Sequence, residues 1–294
     1  MLKKIAQSLS EVFALKEDFS SRKKIFILGM GAQKSGTTWL YHYLKSRQDF
    51  DSGFVKEYAV LNYLETGENE SSRKRLALRR QNLKENHKKK RKIKEIQLNL
   101  EFLDDMKLYF DYFQDILSSK HVLMSADLTP YHCSLSVDNL KFVQAEFAAR
   151  NITVIPVFLM REPVARLNSA VRMGFRNSEI IPTYEQELEA MSKSINAIHA
   201  LYSQTYQNII EVFGERSFVG FYETLFQDSE IVRLCDVLGC EYRPANFDFV
   251  VNESVMHNRI KESEIQRFRA FYASQYAFAR DTFGEDFIDS IWSA

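Results

Sequence analysis

The stretch Lys24-Ile-Phe-Ile-Leu-Gly-Met-Gly-Ala-Gln-Lys-Ser-Gly-Thr-Thr-Trp-Leu40 joins an apolar run, a loop with glycines and the start of a helix. Residues 24–28 are typical of a buried strand, and residues 39–44 fit the first turns of a helix. Backbone N–H groups at a helix N-terminus have no intrahelical partner, and the helix dipole favours an anion beside them. The stretch therefore predicts a phosphate-binding loop between a strand and a helix.

This loop differs from the Walker A loop of nucleotide triphosphatases, which reads G-x-x-x-x-G-K-[ST]. Gly31 and Gly36 have the Walker spacing, but Thr37 occupies the position of the lysine. The lysine of this loop is Lys34, which precedes the second glycine. A lysine at that position projects from the loop itself, beside the terminal group of an anion shorter than a triphosphate.

The run Lys-x-Gly-Thr-Thr resembles the signature of sulfotransferases that use 3′-phosphoadenosine 5′-phosphosulfate (PAPS) as sulfate donor. Within that family, the sequence is most similar to the glycan-type and bacterial-type branch. The resemblance implies that the loop and the first turn of the helix bind the donor through Gln33, Lys34, Ser35, Gly36, Thr37, Thr38 and Trp39. It also implies that Lys34 is catalytic, because it would stabilise charge on the leaving phosphate.

A second motif, Arg161-x-Pro163-x-x-Arg166-x-x-Ser169, follows the apolar run 151–160, which predicts a buried strand. Proline suits the first turn of a helix, and a guanidinium offers a planar fork that matches phosphate oxygens. The sulfotransferase family has this motif at its 3′-phosphate site, so the resemblance implies that Arg161 and Ser169 bind the 3′-phosphate. The alternative is an ordinary helix start with Arg161 in a salt bridge.

Lys56 and Glu57 follow Phe54-Val55, which we predict to be a short second strand. Open α/β sheets bind ligands at the carboxyl ends of their strands. The glycan-type branch has a basic residue and a glutamate here, and the resemblance implies that Glu57 is the catalytic base with Lys56 beside it. An exposed ion pair at a strand end is the alternative.

Asp127-Leu-Thr-Pro-Tyr131 follows a third predicted strand, residues 121–124. The family has an acidic residue, a lysine and then Thr/Ser-Pro here, so the loop is expected to border the acceptor site, with Asp127 as the second candidate for the base. Leu128 replaces the lysine, and Ala59 and Asn62 stand where the branch often has His and Asp. These departures leave open a degenerate sulfotransferase that binds nucleotide without turnover.

Three further residues are nucleotide candidates by the same resemblance. Tyr222 lies near the end of the predicted strand 217–223 and is a candidate for binding adenine, although a tyrosine at a strand end is more often part of the core. Arg259 and Lys261 belong to a polar, basic segment that closes over the cofactor in relatives.

Between Arg73 and Lys94 the chain has twelve Lys or Arg residues and one acid, Glu85. These residues belong to a charged helical insertion, 66–105, within a single domain that spans 1–294. A solvated helix is the simpler interpretation of the run, and a basic surface that attracts an anionic acceptor is the alternative. Helical spacing also predicts helices over 1–20, 183–213 and 264–284.

Composition limits the other possibilities. The 39 Lys or Arg residues equal the 39 Asp or Glu residues, so no overall charge favours nucleic acid. The three cysteines have no metal-ligand spacing and suit a reducing compartment. The sequence has no run of about 18 apolar residues, which a membrane span would need, and we expect a cytoplasmic location. We expect no metal, and the oligomeric state stays open.

The sequence therefore predicts an α/β fold, with a mostly parallel sheet between two layers of helices as in P-loop NTPases. The predicted function is sulfuryl transfer from PAPS to a hydroxyl or amine of an acceptor, an anionic glycan or a small molecule. The alternatives are a P-loop nucleotide kinase, and a non-catalytic protein in which the basic helix binds an anionic polymer. The lysine before Gly36 argues against the kinase.

Overall fold

The computed structural model describes residues 19, 21–67, 70, 73–74, 76–78, 81, 90–176, 181–194, 198–249 and 259–292. Four strands in these ranges form one parallel sheet in the order β2-β1-β3-β4. The strands are β1 Lys24–Gly29, β2 Met124–Asp127, β3 Ile152–Met160 and β4 Phe218–Phe221. The prediction of a parallel α/β sheet is confirmed.

Helices cover both faces of the sheet. In the described residues they are α1 Thr37–Ser46, α2 Tyr63–Thr66, α3 Lys90–Asp104, α4 Met106–Ser118, α5 Val137–Ala148, α6 Pro163–Phe175, α7 Tyr184–Ser194, α8 Tyr202–Phe213, α9 Asp228–Leu238, α10 Glu262–Phe271, α11 Ala273–Phe283 and α12 Glu285–Trp292. Short 3-10 helices span Pro130–Ser134 and Ile198–Ala200.

The central strand β1 divides the apolar core into two layers, because successive side chains of a strand point to opposite faces. Ile25 and Ile27 pack in one buried cluster with residues of α1 and α9. Phe26 and Leu28 pack in the other, with residues of α4 and α5. The molecule is thus built as three layers, with helices on both sides of the sheet.

The register of the strands brings their carboxyl ends to one edge of the sheet. Leu28 of β1 lies beside Asp127 of β2, and Gly29 lies beside Val157 of β3. The segments that follow β1, β2 and β3 therefore leave the sheet on the same side, where open α/β sheets bind ligands.

Three predicted elements are wrong, and the strand predicted over 121–124 is displaced, since β2 spans Met124–Asp127. Phe54-Val55 is not a strand, because the chain turns at Gly53, where φ is 72°. The single helix predicted over 183–213 is two helices, α7 and α8, and the single helix over 264–284 is α10 and α11. Helical spacing of apolar residues continues across such breaks, so the pattern gave no signal for them.

Parts of two predictions lie outside the described residues. The helix expected over 1–20 is almost entirely outside them, and so is much of the basic run. The described part of the insertion includes α3, where Arg91 forms an ion pair with Glu95 on the solvent side. In the described ranges, no helix combines the length and the apolar character needed to cross a bilayer.

We predict that Phe26→Ala lowers the free energy of unfolding by about 3–5 kcal/mol, measured by urea denaturation. Phe26 is fully buried, and its ring centroid lies 4.7 Å from that of Phe113 and 4.1 Å from that of Phe147. Phe142, which is 41% exposed, is the matched control, and Phe142→Ala should cost less than about 1 kcal/mol. Similar losses for both variants would contradict the assignment of Phe26 to the core.

Candidate active site

The phosphate loop begins as an extension of the β1–β3 ladder. The Met30 N–H donates to the Val157 carbonyl oxygen over 2.8 Å, and the Ala32 N–H donates to the Leu159 carbonyl oxygen over 2.7 Å. The chain then turns through Gly36, whose φ of 90° is left-handed, into α1. The loop is therefore fixed to β3, the strand that leads into the second motif.

The two motifs meet in one cavity of about 870 Å³. Its lining includes these residues predicted from the sequence: Gln33, Lys34, Gly36, Thr37, Thr38, Trp39, Lys56, Glu57, Arg161, Ser169 and Tyr222. The structure thus brings together residues that are more than a hundred positions apart in the chain.

Arg161 connects the motifs directly. Its Nη1 donates to the Lys34 carbonyl oxygen over 3.1 Å, and its guanidinium lies 4.1 Å from the centroid of the Tyr222 ring. The Tyr202 hydroxyl also donates to the Arg161 carbonyl oxygen over 2.8 Å. A guanidinium over an aromatic face is held by cation–π attraction. Tyr222 therefore orients Arg161 in the cavity.

Lys56 and Glu57 stand at the N-terminus of α1. The Lys56 Nζ donates to the hydroxyls of Thr37 and Thr38 over 3.2 Å each, and to Glu57 Oε1 over 2.7 Å. The Lys56 side chain is 15% exposed, whereas that of Glu57 is 46% exposed. Lys56 is thus held against the phosphate loop, while the Glu57 carboxylate has one side open to an incoming molecule.

Asp127 is fully buried and is not part of the cavity lining. Its Oδ1 accepts hydrogen bonds from the Tyr58 N–H, the Thr129 N–H and the Thr129 hydroxyl, over 3.2, 3.1 and 2.6 Å. Its Oδ2 accepts one from the Tyr109 hydroxyl over 3.0 Å. The carboxylate thus holds the backbone directly after Glu57.

The cavity has a strongly positive lining that sequence reasoning partly missed. Arg172 and Arg176 join Lys34, Lys56 and Arg161, whereas Glu57 is the one acid among the described lining residues. Burial, followed by the charges of Arg176, Arg161 and Lys56, lowers the pKa of Lys34. Positions three and seven residues after Ser169 share its helix face, which was an available signal for both arginines.

An aromatic wall closes one side of the cavity. The Trp39 ring stacks on Phe247 with centroids 5.8 Å apart and lies edge-on to Phe226 at 5.1 Å. Phe249 also lines the cavity. These three phenylalanines follow no motif, and only the folded chain brings them to the cavity that Trp39 lines.

Three predicted nucleotide residues do not line the cavity: Ser35, Arg259 and Lys261. Ser35 is fully buried, and its hydroxyl has no hydrogen-bond partner among the described residues. Lys261 precedes α10, and its Nζ lies 5.2 Å from the centroid of the Tyr184 ring. Residues 250–258, which precede this segment, lie outside the described residues.

The profile of the Sulfotransferase family matches residues 24–244, three quarters of the chain. The chain belongs to the sulfotransferase family. This membership supports sulfuryl transfer and disfavours the kinase interpretation.

A solved structure of a bacterial sulfotransferase has a similar fold. A sulfotransferase from Alicyclobacillus acidocaldarius has a TM-score of 0.56 and 18% sequence identity, over 88% of this chain and 94% of that chain. The sulfotransferase STF9 from Mycobacterium avium has a TM-score of 0.45 and 13% identity, over 94% of this chain and 80% of that chain. A search of curated protein sequences found no match.

We predict that Gly36→Ala destabilises this sulfotransferase more than Gly67→Ala does, by roughly 1–3 kcal/mol in urea denaturation. Both glycines have a left-handed φ, so both variants carry the same backbone penalty. A Cβ on Gly36 would lie 2.6 Å from Leu225 Cδ2, whereas one on Gly67 would have no atom within 4 Å. Equal losses would mean that the loop tolerates crowding at Gly36.

Proposed function

We propose that this sulfotransferase moves the sulfuryl group of PAPS to a hydroxyl or amine of a glycan or small-molecule acceptor. The observation that carries the proposal is the 3.1 Å hydrogen bond between Arg161 and the Lys34 carbonyl oxygen. It links the 5′-phosphosulfate motif and the 3′-phosphate motif within one cavity, and a nucleotide with phosphates at its 3′ and 5′ positions requires such a link.

The lining residues fit such a nucleotide. Lys34, with Thr37 and Thr38 at the N-terminus of α1, would hold the 5′-phosphosulfate, since these positions offer a cation, hydroxyls and free N–H groups. Arg161 and Ser169 would hold the 3′-phosphate, because a guanidinium binds two phosphate oxygens at once.

The aromatic wall fits the remaining part of the nucleotide. An adenine ring would stack on Trp39, whose neighbour Phe247 lines the same cavity. Contrary to the prediction from the sequence, Tyr222 would not bind adenine in this arrangement. Its ring face supports the Arg161 guanidinium, so it would act at the phosphate end of the nucleotide. Arg259 and Lys261 remain candidates for a segment that closes over the donor.

Sulfuryl transfer requires little covalent chemistry from the protein itself. Bound PAPS supplies the activated sulfuryl group, and the protein supplies in-line positioning and charge stabilisation. Lys34 and Lys56 would stabilise the negative charge that develops on the leaving phosphate. Glu57, which is half exposed in the cavity, would take the proton of the acceptor.

The acceptor would approach beside Pro130 and Tyr131, which line the cavity together with Glu57. Tyr131 is 52% exposed, so it offers an aromatic face to a sugar ring or an aryl group. A screen of hydroxyl and amine acceptors with radiolabelled PAPS tests the activity. Nucleotide binding without transfer to any acceptor would favour the degenerate sulfotransferase.

We predict that Arg161→Ala weakens binding of adenosine 3′,5′-bisphosphate by about 1.5–3 kcal/mol, because a hydrogen-bonded charge is lost. Isothermal titration calorimetry measures the change. Adenosine 5′-monophosphate, which lacks the 3′-phosphate, is the matched ligand control and should lose less affinity, because Arg161 reaches the 5′ side only through the Lys34 carbonyl oxygen. Equal losses for both ligands would place Arg161 away from the 3′-phosphate.

We predict that Glu57→Gln lowers turnover by roughly 10²–10⁴, since an amide cannot accept the proton of the acceptor. Affinity for adenosine 3′,5′-bisphosphate should stay unchanged, because Glu57 is not expected to contact it. Glu189→Gln is the control, as this acid is exposed on α7 and paired with Lys193. Normal turnover in Glu57→Gln would remove Glu57 from the role of base.

We predict that Asp127→Asn keeps turnover within roughly tenfold of the parent, in contrast to Glu57→Gln. The carboxylate of Asp127 is buried and already accepts four hydrogen bonds, so it has a positioning role towards Glu57. Asparagine keeps Oδ1 as an acceptor, so the effect should fall on kcat, with KM for PAPS unchanged. A loss as large as that of Glu57→Gln, in a variant that stays folded, would make Asp127 the base.

A further inference from the structure

Cys235 and Cys240 meet at the carboxyl end of α9, which closes with a Schellman turn. Gly239 has the left-handed φ of 61° that the turn requires, and its N–H donates to the Asp236 carbonyl oxygen over 3.1 Å. The Cys240 N–H donates to the Cys235 carbonyl oxygen over 3.0 Å. In this motif the side chains at the positions of Cys235 and Cys240 commonly touch. Both cysteines are free thiols.

The surroundings favour a thiolate at Cys235. Its Sγ lies 3.5 Å from the Tyr43 hydroxyl and 3.9 Å from Arg47 Nη1, and Arg47 is in turn held by Asp49. The neighbouring Cys240 thiol, followed by the Tyr43 hydroxyl and the Arg47 guanidinium, lowers the pKa of Cys235. Thiolates are the nucleophilic form of cysteine, and cationic neighbours stabilise them.

The third cysteine provides an internal contrast. Cys133 is buried, its Sγ lies 3.4 Å from the His199 Nδ1, and burial raises its pKa to about 12. It has no second cysteine beside it in the described structure. Cys235 is buried as well, but its neighbour Cys240 is only partly buried, so a small oxidant can reach the pair from the Cys240 side.

We propose that Cys235 and Cys240 are a redox modification site, at which hydrogen peroxide forms an intramolecular disulfide. The Cys235 thiolate attacks one peroxide oxygen, an S–O bond forms as the O–O bond breaks, and hydroxide leaves and is protonated to water. The Cys240 sulfur then attacks the resulting sulfenic acid, the S–O bond breaks, and the hydroxyl leaves as water with the thiol proton. Two thiols are oxidised, and one peroxide is reduced to two waters.

The site is separate from the cavity. Neither cysteine lines it, and Tyr43, which contacts Cys235, lies one turn further along α1 than the lining residue Trp39. The inference rests on the geometry of the helix cap and is independent of sulfuryl transfer, so either could fail without the other.

The test counts free thiols in the reduced full-length protein before and after treatment with hydrogen peroxide. The protein is denatured, alkylated with N-ethylmaleimide and weighed by intact mass spectrometry. We expect three labels before oxidation and one afterwards, with all three restored by dithiothreitol. Both cysteines fall in one tryptic peptide, Leu234–Arg259, because Pro244 protects the bond after Arg243. That peptide should lose two hydrogens on oxidation.

Two variants sharpen the result. Cys133→Ser should pass from two labels to none, because the pair remains. Cys240→Ser should form no disulfide and should instead carry oxygen on Cys235. Three labels retained at peroxide levels that oxidise glutathione, or a disulfide that includes Cys133 or a second chain, would overturn the proposal. The main measurement uses the unaltered protein, so it does not depend on how the variants fold.

Discussion

The pairing of β1 with β3 continues beyond β1, and the rest of the site depends on it. The Leu159 N–H donates to the Gly31 carbonyl oxygen over 2.9 Å, inside the phosphate loop itself. The next residue, Met160, ends β3, and Arg161 then begins the second motif. The ladder therefore sets the distance between the two ends of the proposed nucleotide site. Without it, Lys34 and Arg161 would belong to two independent loops, each with its own mobility.

The concentration of positive charge is the main electrostatic cost of this arrangement. Burial, followed by the proximity of three other cations, disfavours the charged form of Lys34. Two contacts limit the cost. The Arg161 guanidinium makes a cation–π contact with the face of the Tyr222 ring, and the Glu57 carboxylate accepts a hydrogen bond from Lys56. An anion in the cavity would remove the remaining repulsion, so the site is suited to a ligand with several negative charges.

Local sequence predicted the features that are local in the structure. The phosphate loop is one continuous stretch, and Arg161 and Ser169 share one strand end and helix, so spacing together with the family resemblance located them. Phe247 reaches Trp39 only through the course of the chain after α9, for which no periodic signal exists. The prediction of a strand at Phe54-Val55 was wrong for a related reason. Two apolar residues satisfy a strand pattern, but a strand also needs a neighbouring strand in register to pair with.

The position of Glu57 relative to Lys34 is set from beneath by a buried polar cluster, centred on Asp127. The carboxylate accepts a hydrogen bond from the Tyr58 N–H, and the Leu128 N–H donates to the Lys56 carbonyl oxygen over 2.9 Å.

His132 belongs to the same buried region. Its Nδ1 donates to the carbonyl oxygen of Gly29, the last residue of β1, and burial is the main cause that lowers its pKa. The same cluster thus touches the strand that leads into the phosphate loop and the segment that carries Glu57. A buried polar network is costly unless its members are paired, and once paired it allows few other arrangements. Glu57, the proposed base, is therefore positioned by residues that do not line the cavity.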